Sequence, residues 1–265
     1  EVMRDTAERV VRELCTLHRR RERIGRGEGL DPELTVQCGD LGWLALCIPE
    51  EEGGLGGSMT DVALLMIELG RGMTVEPIVS SALLCARLLA DTRWTARSEW
   101  IEGVMTGARR LAFAHRESAD RADFAGSRLT TIRQANDKLS IAGAKLMAWD
   151  ADSADAFLVT ASLPRTDELV IALVPKASPG QHLESYSLID GSRAADVFFD
   201  QVEIEQGNLI ARGSEAALLI EDAVSRAMVG TMAAGVGSME ACIQLCSDYL
   251  KQRSQFGQPL GKFQA

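Results

Sequence analysis

The hydrophobic and polar positions of this chain follow a helical period at both ends and a shorter, strand-like pattern in the middle. Residues 1–24 carry a stripe of apolar side chains among Arg and Glu, which predicts one charged helix. The segments 60–71 and 77–107 repeat the helical pattern, and Gly70 is a typical helix end. The first 107 residues therefore predict an all-helical unit.

Between residues 108 and 212 the pattern changes to short apolar or alternating runs, separated by polar residues, Gly and Pro. The runs are LAFAH, KLSIAGAKLMA, DAFLVTASL, ELVIALVP and ADVFFDQVEI. Their length and spacing are typical of a small antiparallel β domain.

From Ser214 the helical period returns for about 40 residues without a proline, a rod of roughly 60 Å at 1.5 Å per residue. The middle of this helix is rich in small residues, namely Gly230, Ala233, Ala234, Gly235, Gly237 and Ser238. Close packing of another helix is the favoured interpretation, and a flat ligand or substrate chain against the helix is the alternative.

These patterns predict an α+β fold in three parts. Residues 1–107 form an N-terminal helical domain, and residues 108–212 form a middle antiparallel β-barrel or β-sandwich domain. Residues 213–265 form the first long helix of a C-terminal helical bundle that is incomplete in this sequence. A helix of this length needs packing partners along its whole length, because packing rather than propensity stabilises long helices.

Composition narrows the class of protein. Apolar residues make up 46% and charged residues 25%, which is ordinary for a soluble globular chain. No run approaches the roughly 20 apolar residues of a membrane span, and no signal peptide is visible. The net charge of −10 argues against nucleic acid as a partner, but it permits a phosphate-bearing small molecule at a local positive site.

The six cysteines show no CxxC spacing. Cys242 and Cys246 lie one helical turn apart, but no His accompanies them, so no metal site is expected. We interpret the cysteines as small core thiols in a reducing, intracellular compartment.

Three segments carry a resemblance to a known family: IPEEEGGLGGS at 48–58, LIDGSRAADVFFDQVEI at 188–204 and RSQFGQPLGKFQ at 253–264. Their residues and their order resemble the acyl-CoA dehydrogenase family over essentially the whole chain. Taken alone, the glycine-rich stretch 53–57 predicts a plain turn, because it lacks the Lys-Ser/Thr of a phosphate-binding loop.

The resemblance implies an FAD-dependent oxidoreductase. A carboxylate removes the α proton of an acyl-CoA while FAD accepts a hydride from the β carbon. It also implies a dimer or tetramer with FAD near the subunit interface, and electron-transfer flavoprotein as the electron acceptor. The implied location is the cytoplasm, or the mitochondrial matrix in a eukaryote.

In the family, the Arg-x-x-Phe segment reaches the FAD of the neighbouring subunit. The resemblance therefore implies that Arg253 binds the pyrophosphate, which suits the guanidinium fork, and that Phe256 packs at the adenine end. Gln255 and Gln264 would supply polar contacts. Without the family, Arg253 could neutralise a helix C-terminus and Phe256 could be a core residue.

The first flavin motif of the family corresponds to FAHRESADRAD at 113–123. Glu117 and Asp123 match it, and flavin contacts are implied at Phe113, His115 and Arg116. Taken alone, a strand His such as His115 is usually a hydrogen-bonded core or surface residue.

The resemblance also implies substrate contacts at Ala122 and Arg226. Ala122 stands where the family has a Ser that touches the thioester part of CoA, and Arg116 stands where it has a Thr. These departures weaken the prediction of CoA binding from this motif.

The second flavin motif corresponds to AGAKLMAWD at 142–150 and implies flavin contacts at Met147, Ala148 and Trp149. Trp149 occupies the place of a hydroxyl residue that would hydrogen-bond the reactive flavin nitrogen. An indole donates only from its N–H and is far bulkier, so Trp149 could stack on the ring, fill its place, or be a β-edge core residue.

The general base is not found in this sequence. The family places its Glu either in the last helices, beyond residue 265, or early in the long helix, where this chain has Ala227. The expected catalytic Glu therefore lies beyond residue 265, either because the sequence is truncated or because a partner subunit supplies those helices.

Three functions stay open. The chain is an acyl-CoA dehydrogenase or a subunit of one, with its base outside these residues. Alternatively it is a non-catalytic subunit of a heteromeric dehydrogenase that donates Arg253 and Phe256 to a partner's FAD. The third possibility is a flavin oxidase or monooxygenase on the same fold.

Overall fold

The computed structural model describes residues 2–117, 129–135, 138–164 and 166–263. The predicted positions Ala122, Asp123 and Gln264 lie outside the described residues.

The N-terminal part is helical, as the sequence predicts. Its α-helices are α1 (Val2–Leu14), α2 (Leu17–Gly25), α3 (Pro32–Asp40), α4 (Met59–Arg71), α5 (Arg87–Ala90) and α6 (Arg97–Met105). A π-helical segment, Ile78–Ala86, runs directly into α5. Between α3 and α4 the glycine-rich stretch forms a tight turn, in which a side chain at Gly54 would overlap the carbonyl oxygen of Ile48. The prediction of a plain turn is confirmed.

The prediction of a single helix over residues 1–24 is wrong, because the chain breaks between α1 and α2. Thr16 has an extended backbone and its hydroxyl accepts a hydrogen bond from the N–H of Arg19 at 3.3 Å. A Thr at this position caps a new helix better than it continues an old one. Leu17, an apolar residue within the stretch predicted as one helix, is half exposed at the start of α2.

The middle part is one eight-stranded sheet. Its strands are β1 (Leu111–Ala114), β2 (Thr131–Ala135), β3 (Lys138–Trp149), β4 (Ala156–Leu163), β5 (Glu168–Pro175), β6 (Gln181–Ser187), β7 (Arg193–Ile204) and β8 (Leu209–Arg212). The order is β6-β7-β3-β2-β4-β5-β8, with β1 paired to β4. The sheet is mainly antiparallel, as expected, but β4 pairs in parallel with β1 and with β2. Strands β2, β6 and β8 were not predicted, because they are short or polar.

Strands β4 and β5 are buried on both faces and separate two hydrophobic cores. Leu158 and Ile171 pack with the helices, whereas Phe157, Val159 and Val170 pack inside the sheet. This follows from the alternation of side chains along a strand. The division at residues 107 and 212 stays a prediction, since the first core continues from the helices onto the sheet.

The long helix α7 spans Gly213–Gln252, as the sequence predicts. Its small residues lie where it crosses α4: the hydroxyl of Ser238 donates to the carbonyl of Gly70 at 2.8 Å. A side chain at Gly237 would overlap the carbonyl oxygen of Ile67, and one at Gly70 would overlap that of Ala234. The favoured interpretation, close packing of two helices, is confirmed.

The second half of α7 is largely exposed. The exposed apolar side chains there include Met239, Ile243, Leu245, Tyr249 and Leu250. The prediction that all cysteines are core thiols is wrong for Cys242 and Cys246, which are exposed on this half. No helix among the described residues is long and apolar enough to cross a membrane.

Two glycines of α7 offer a matched test of the helix crossing. We expect Gly237→Ala to lower the free energy of unfolding by about 1–3 kcal/mol, because its Cβ has no room against α4. Gly235→Ala meets nothing within 4 Å and should raise stability by about 0.5–1 kcal/mol through helix propensity. Urea unfolding followed by circular dichroism measures both; equal effects of the two substitutions would contradict the close approach.

Candidate functional site

The structure brings the two predicted flavin motifs together. The chain leaving β1 (His115–Glu117) lies beside the end of β3. The N–H of Leu146 donates to the carbonyl of Arg116 at 2.7 Å, and the ammonium of Lys145 donates to the carbonyl of His115 at 3.1 Å. These two bonds hold the two segments side by side, although they are about 30 residues apart in sequence.

A β-bulge shapes this part of β3. The pairing of β3 with β7 shifts between Lys145 and Ala148, and Met147 has a left-handed backbone with φ 53°. The N–H of Met147 is therefore free of the ladder and donates to Oδ1 of Asp196 at 2.9 Å. The hydroxyl of Tyr186 donates to the same oxygen at 2.8 Å, so strands β6 and β7 also fix the bulge.

A buried ion pair lies beneath the junction. Lys145 Nζ is 2.6 Å from Oε1 of Glu117, and both side chains are only 1% exposed. The carboxylate of Glu117 also accepts the N–H groups of Leu129 at 2.7 Å and Thr130 at 2.9 Å. The carboxylate of Glu117 thus accepts hydrogen bonds from one ammonium and two backbone N–H groups. A buried carboxylate needs such donors because it has lost its contact with water.

The pKa values of the pair reflect this environment. Burial by itself raises the pKa of Glu117, but the hydrogen bond and charge of Lys145, with the two backbone N–H groups, outweigh burial and lower it. Burial lowers the pKa of Lys145, against the raising effect of Glu117. The carboxylate thus stays ionised, and the ammonium depends on it for its charge.

Thr160 of β4 links this pair to His115. Its hydroxyl accepts from Lys145 at 3.2 Å, and its oxygen lies 2.9 Å from Nδ1 of His115. A hydroxyl oxygen can accept two hydrogen bonds and donate one, so the direction of the bond between Thr160 and His115 follows the tautomer of the His115 ring. The His115 ring also stacks on Phe113, with centroids 5.4 Å apart. His115 therefore belongs to a hydrogen-bonded network, as the plain interpretation of a strand His expects.

Arg116 and Met147 lie close together beside the junction, and both are partly accessible. Nη1 of Arg116 lies 4.0 Å from the sulfur of Met147. Trp149, at the end of β3, is 36% exposed, so its interpretation as a core residue is wrong. Ala148 points the other way, and its side chain is buried in the sheet core.

Asp150 connects the end of β3 to the helices. Its backbone is left-handed (φ 56°), and its carboxylate accepts the hydroxyl of Ser80, in the π-helical segment, at 2.6 Å. Burial raises the pKa of Asp150 to about 6, and the nearby Asp152 and Asp190 add to the rise. The neighbouring Ser81 hydroxyl accepts the N–H of Leu111 at 2.9 Å, which ties the start of β1 to the same segment.

The terminal motif folds as a small hairpin after α7. Strands β9 (Ser254–Gln255) and β10 (Gln258–Pro259) pair across Phe256 and Gly257, both with positive φ. Phe256 is 94% exposed and touches Phe263 edge to face, and Gln255 is also exposed. Arg253 is exposed and makes no ion pair within the described residues. The hairpin presents these side chains outward, and Phe256 is not a core residue.

Arg226 and Ala227 lie on the first half of α7. Arg226 pairs with Asp91 at 2.8 Å and with Asp222 at 3.6 Å, and it lines a pocket with Arg87, Cys47 and other residues. Ala227 is buried and carries no base. The structure thus places Arg226 in an ion-pair network and does not join it to the flavin motifs.

The residues present fit one face of a flat, largely apolar ring system such as a flavin. Phe113, Met147 and Trp149 are partly accessible around the junction. The exposed Arg253 fits a pyrophosphate, because its guanidinium carries two parallel donors. No group of three or more His, Cys, Asp or Glu side chains in the described part of the chain is arranged to hold a metal ion.

Four residues that shape the site were not predicted from sequence: Ser80, Thr160, Tyr186 and Asp196. Thr160 lies within a continuous apolar run, which gives no sign of its contact with His115. Asp196 gave a usable signal, since it is the one carboxylate within the apolar run of residues 194–199.

Comparison with family models identifies the class of protein. The model described as acyl-CoA dehydrogenase, N-terminal domain, matches residues 1–108, and the model described as acyl-CoA dehydrogenase, C-terminal domain, matches residues 219–265. Together they match more than half of the chain. The chain belongs to the acyl-CoA dehydrogenase family, as its motifs indicate.

Similar proteins agree with this assignment. The chain is 27% identical over 247 residues to the short-chain specific acyl-CoA dehydrogenase, mitochondrial, of Homo sapiens, a match of 89% of this chain and 60% of that protein. It is 25% identical over 238 residues to an acyl-CoA dehydrogenase of Bacillus subtilis, a match of 86% and 62% respectively. The chain thus spans about 60% of the length of these curated relatives.

Solved structures show the same fold. Butyryl-CoA dehydrogenase from Megasphaera elsdenii superposes with a TM-score of 0.86 at 20% identity, covering 98% of this chain and 71% of that one. A glutaryl-CoA dehydrogenase from Mycobacterium smegmatis in complex with FADH2 superposes at 0.87 and 21% identity, covering 98% and 67%. The ChsE4-ChsE5 complex from Mycobacterium tuberculosis gives 0.85 and 21%, covering 98% and 69%. The predicted α+β fold of this family is confirmed.

The buried ion pair predicts a strong asymmetry between single and double substitutions. Lys145→Met leaves Glu117 buried without its cation and should lower the free energy of unfolding by about 3–5 kcal/mol. Adding Glu117→Gln removes the buried charge and should restore a large part of that loss. Urea unfolding of the single and double variants measures the coupling.

The exposed pair formed by Lys138 of β3 and Glu203 of β7 is the control. Its atoms are 2.9 Å apart, but both side chains are about 70% exposed. Lys138→Met should therefore lower stability by less than about 1 kcal/mol. Equal losses for Lys138→Met and Lys145→Met would show that the buried pair has no special role.

Asp150 predicts a pH-dependent difference in stability. Its pKa is about 6 in the folded chain and close to 4 when unfolded, so the folded state binds the proton more tightly. Wild-type stability should fall as pH rises from 4 to 6, and Asp150→Asn should lack this fall. Asn accepts the Ser80 hydrogen bond and tolerates positive φ. Thermal unfolding should show the two proteins equal at pH 4 and Asn more stable by about 2–3 kcal/mol above pH 6. A difference that is constant with pH would contradict a raised pKa.

Proposed function

We propose that this chain is an FAD-dependent acyl-CoA dehydrogenase, or a subunit of one, that introduces an α,β double bond into an acyl-CoA thioester. The observation that carries the proposal is the junction of the two flavin motifs. Their two segments are joined backbone to backbone, and the Lys145–Glu117 pair is buried beneath them. Family membership supports the same chemistry.

In this proposal the junction holds the flavin ring. Phe113 and Met147 offer apolar contact area, and Trp149 offers an exposed indole that can stack on the ring or donate its N–H. His115 supports the ring site through its hydrogen bond with Thr160, and Ala148 contributes its backbone. Arg116 brings a positive charge to the ring's edge, where the family has a Thr. When bound, FAD supplies the acceptor for the hydride from the substrate's β carbon.

The terminal hairpin serves a second copy or a partner subunit. Phe256 is almost fully exposed and Arg253 has no ion pair in the described part of the chain, so both are free to contact the FAD of a neighbour. Gln255 and Gln264 add polar contacts. Arg226 and Ala122 belong to the substrate side of the site. The general base is a Glu from helices outside these residues, since Ala227 occupies the alternative position.

A second candidate function is favoured by Trp149 and Arg116. Both are larger than the residues that the family places beside the flavin, and both are at least partly accessible. A chain whose own pocket is narrowed in this way would act as a non-catalytic subunit of a heteromeric dehydrogenase. Its hairpin would complete the flavin site of a catalytic partner.

Partners and location follow from the relatives. One structural neighbour is titled as a ChsE4-ChsE5 complex and another as an electron transferring flavoprotein, which supports an oligomeric enzyme that passes electrons to a flavoprotein. The human relative is named mitochondrial. We place this chain in the cytoplasm, or in the mitochondrial matrix if its source is eukaryotic.

The flavin role of the hairpin is tested by titrating FAD into the purified protein and following flavin fluorescence and visible absorbance. We expect Arg253→Gln with Phe256→Ala to weaken FAD binding at least tenfold, a loss of about 1.4 kcal/mol or more. Arg133→Gln, an equal change of charge on exposed β2, should leave binding unchanged.

The result also separates the two functions. Flavin bound by the protein alone, together with acyl-CoA oxidation, supports the dehydrogenase. A protein that binds FAD only after a catalytic partner is added supports the non-catalytic subunit. Unchanged FAD binding in the double variant would refute the role of the hairpin in both.

A further inference from the structure

A second cleft lies between the helices and the sheet, beside the end of β3, where Asp150 is one of its lining residues. One wall is the turn that joins α2 to α3, with Arg23, Arg26 and Glu28. The other wall comes from the starts of β1 and β7 and from the turn after β3, with Arg110, Arg193 and Asp152. The cleft is thus built by both parts of the fold, and none of these six residues has a role in the proposed dehydrogenase.

The cleft concentrates positive charge in an acidic protein. Glu28 is shared by two arginines, at 3.1 Å from Arg23 and 3.2 Å from Arg26. Asp152 is matched one to one by Arg193. One guanidinium on the first wall is therefore left without a carboxylate of its own, although the chain as a whole carries a net charge of −10.

Arg110 adds a second unmatched cation. Its Nε donates to the carbonyl of Ser153 at 2.9 Å, and within the described residues it makes no ion pair. Its backbone N–H donates to the carboxylate of Asp155 at 2.7 Å, which fixes Arg110 just before β1. The guanidinium is therefore held in place by a neutral acceptor and keeps donors for a ligand.

Arg23 shows an unused donor as well. One terminal nitrogen pairs with Glu28 and the other donates to the carbonyl of Leu30, but Nε is buried and has no acceptor. A buried donor without an acceptor costs roughly 1–3 kcal/mol, more when it is charged. Arg23 thus holds the turn through Glu28 and Leu30, and Arg26, whose side chain is 60% exposed, carries the accessible donors of this wall.

The remaining acid of the cleft is Asp150, whose carboxylate already accepts the hydroxyl of Ser80. With Asp150 counted, four guanidinium groups face three carboxylates across the cleft. The residues that line the cleft therefore carry one more positive than negative charge when the acids among them are ionised.

We propose that this cleft is a binding site for the phosphate group of a small molecule. Guanidinium forks from two sides suit the tetrahedral oxygens of a phosphate, which accept paired N–H donors. Arg110 and Arg26 make the decisive contacts, and Glu28 opposes them. None of the four arginines has a role in the proposed flavin site, so the binding of phosphate can be tested independently of the dehydrogenase function.

Two sources of phosphate fit this chemistry, namely the phosphates of a nucleotide-containing cofactor and free phosphate or pyrophosphate. Pyrophosphate is the probe of the site itself, measured by isothermal titration calorimetry with the purified chain. CoA against dephospho-CoA then distinguishes a terminal ribose phosphate from the diphosphate they share. FAD is titrated as well, into the wild type and into the Arg253→Gln variant, to distinguish binding in this cleft from binding at the hairpin.

We expect Arg110→Gln to weaken pyrophosphate binding about tenfold, because one charge-assisted contact is lost. Glu28→Gln should change affinity in the opposite direction and tighten binding, since it removes the opposing charge and frees both Arg23 and Arg26. Raising the salt concentration should weaken binding of every variant that still binds. Arg133→Gln is the matched control and should bind like the wild type.

Three results would overturn the proposal. They are no pyrophosphate binding by the wild type at millimolar concentration, equal binding by the Arg110→Gln and Arg133→Gln variants, and weaker binding by Glu28→Gln at unchanged secondary structure. The last would mean that the ion pairs serve only to hold the α2–α3 turn against the sheet. Loss of FAD binding without loss of pyrophosphate binding would refute the flavin role and leave this site intact.

Discussion

The buried ion pair between Lys145 and Glu117 is the interaction on which the candidate site depends. Two full charges without water are tolerable only when each is paired and the remaining oxygen lone pairs are used. Here the carboxylate is met by an ammonium and two backbone N–H groups, and the ammonium by a carbonyl and a hydroxyl. The bonds that satisfy the two buried charges also join the two predicted flavin motifs. The shape of the candidate site therefore depends on this ion pair.

The rest of the fold supports that junction from outside. Strands β4 and β5 separate a core inside the sheet from a core shared with the helices. The first half of α7 packs on the core that is shared with the helices. The crossing of α4 and α7 is close because glycines replace side chains at the contact. Two hydrogen bonds connect the helices to the sheet. Ser80 bonds to Asp150 at the end of β3, and Ser81 bonds to Leu111 at the start of β1.

Much of this architecture was predictable. The change of period near residue 108, the return of the helical period at Ser214 and the cluster of small residues near Gly237 predict three parts and one close helix crossing. The weaker predictions share a cause. Thr16 divided a continuous apolar stripe through a cap, and β2, β6 and β8 are strands because neighbouring strands pair with them, not because their residues favour it.

The sequence by itself determined the order of the helical and β parts, the family and the residue types at the motifs, because period and local motifs are properties of neighbours along the chain. Only the tertiary structure decided that Glu117 and Lys145 meet, that Trp149 is exposed while Ala148 is buried, and that four arginines converge on one cleft. These pairings join residues tens to more than a hundred positions apart. The bulge at Met147 and the turn at Gly27 help to position these residues. A local sequence pattern does not predict which distant residues a bulge or a turn brings together.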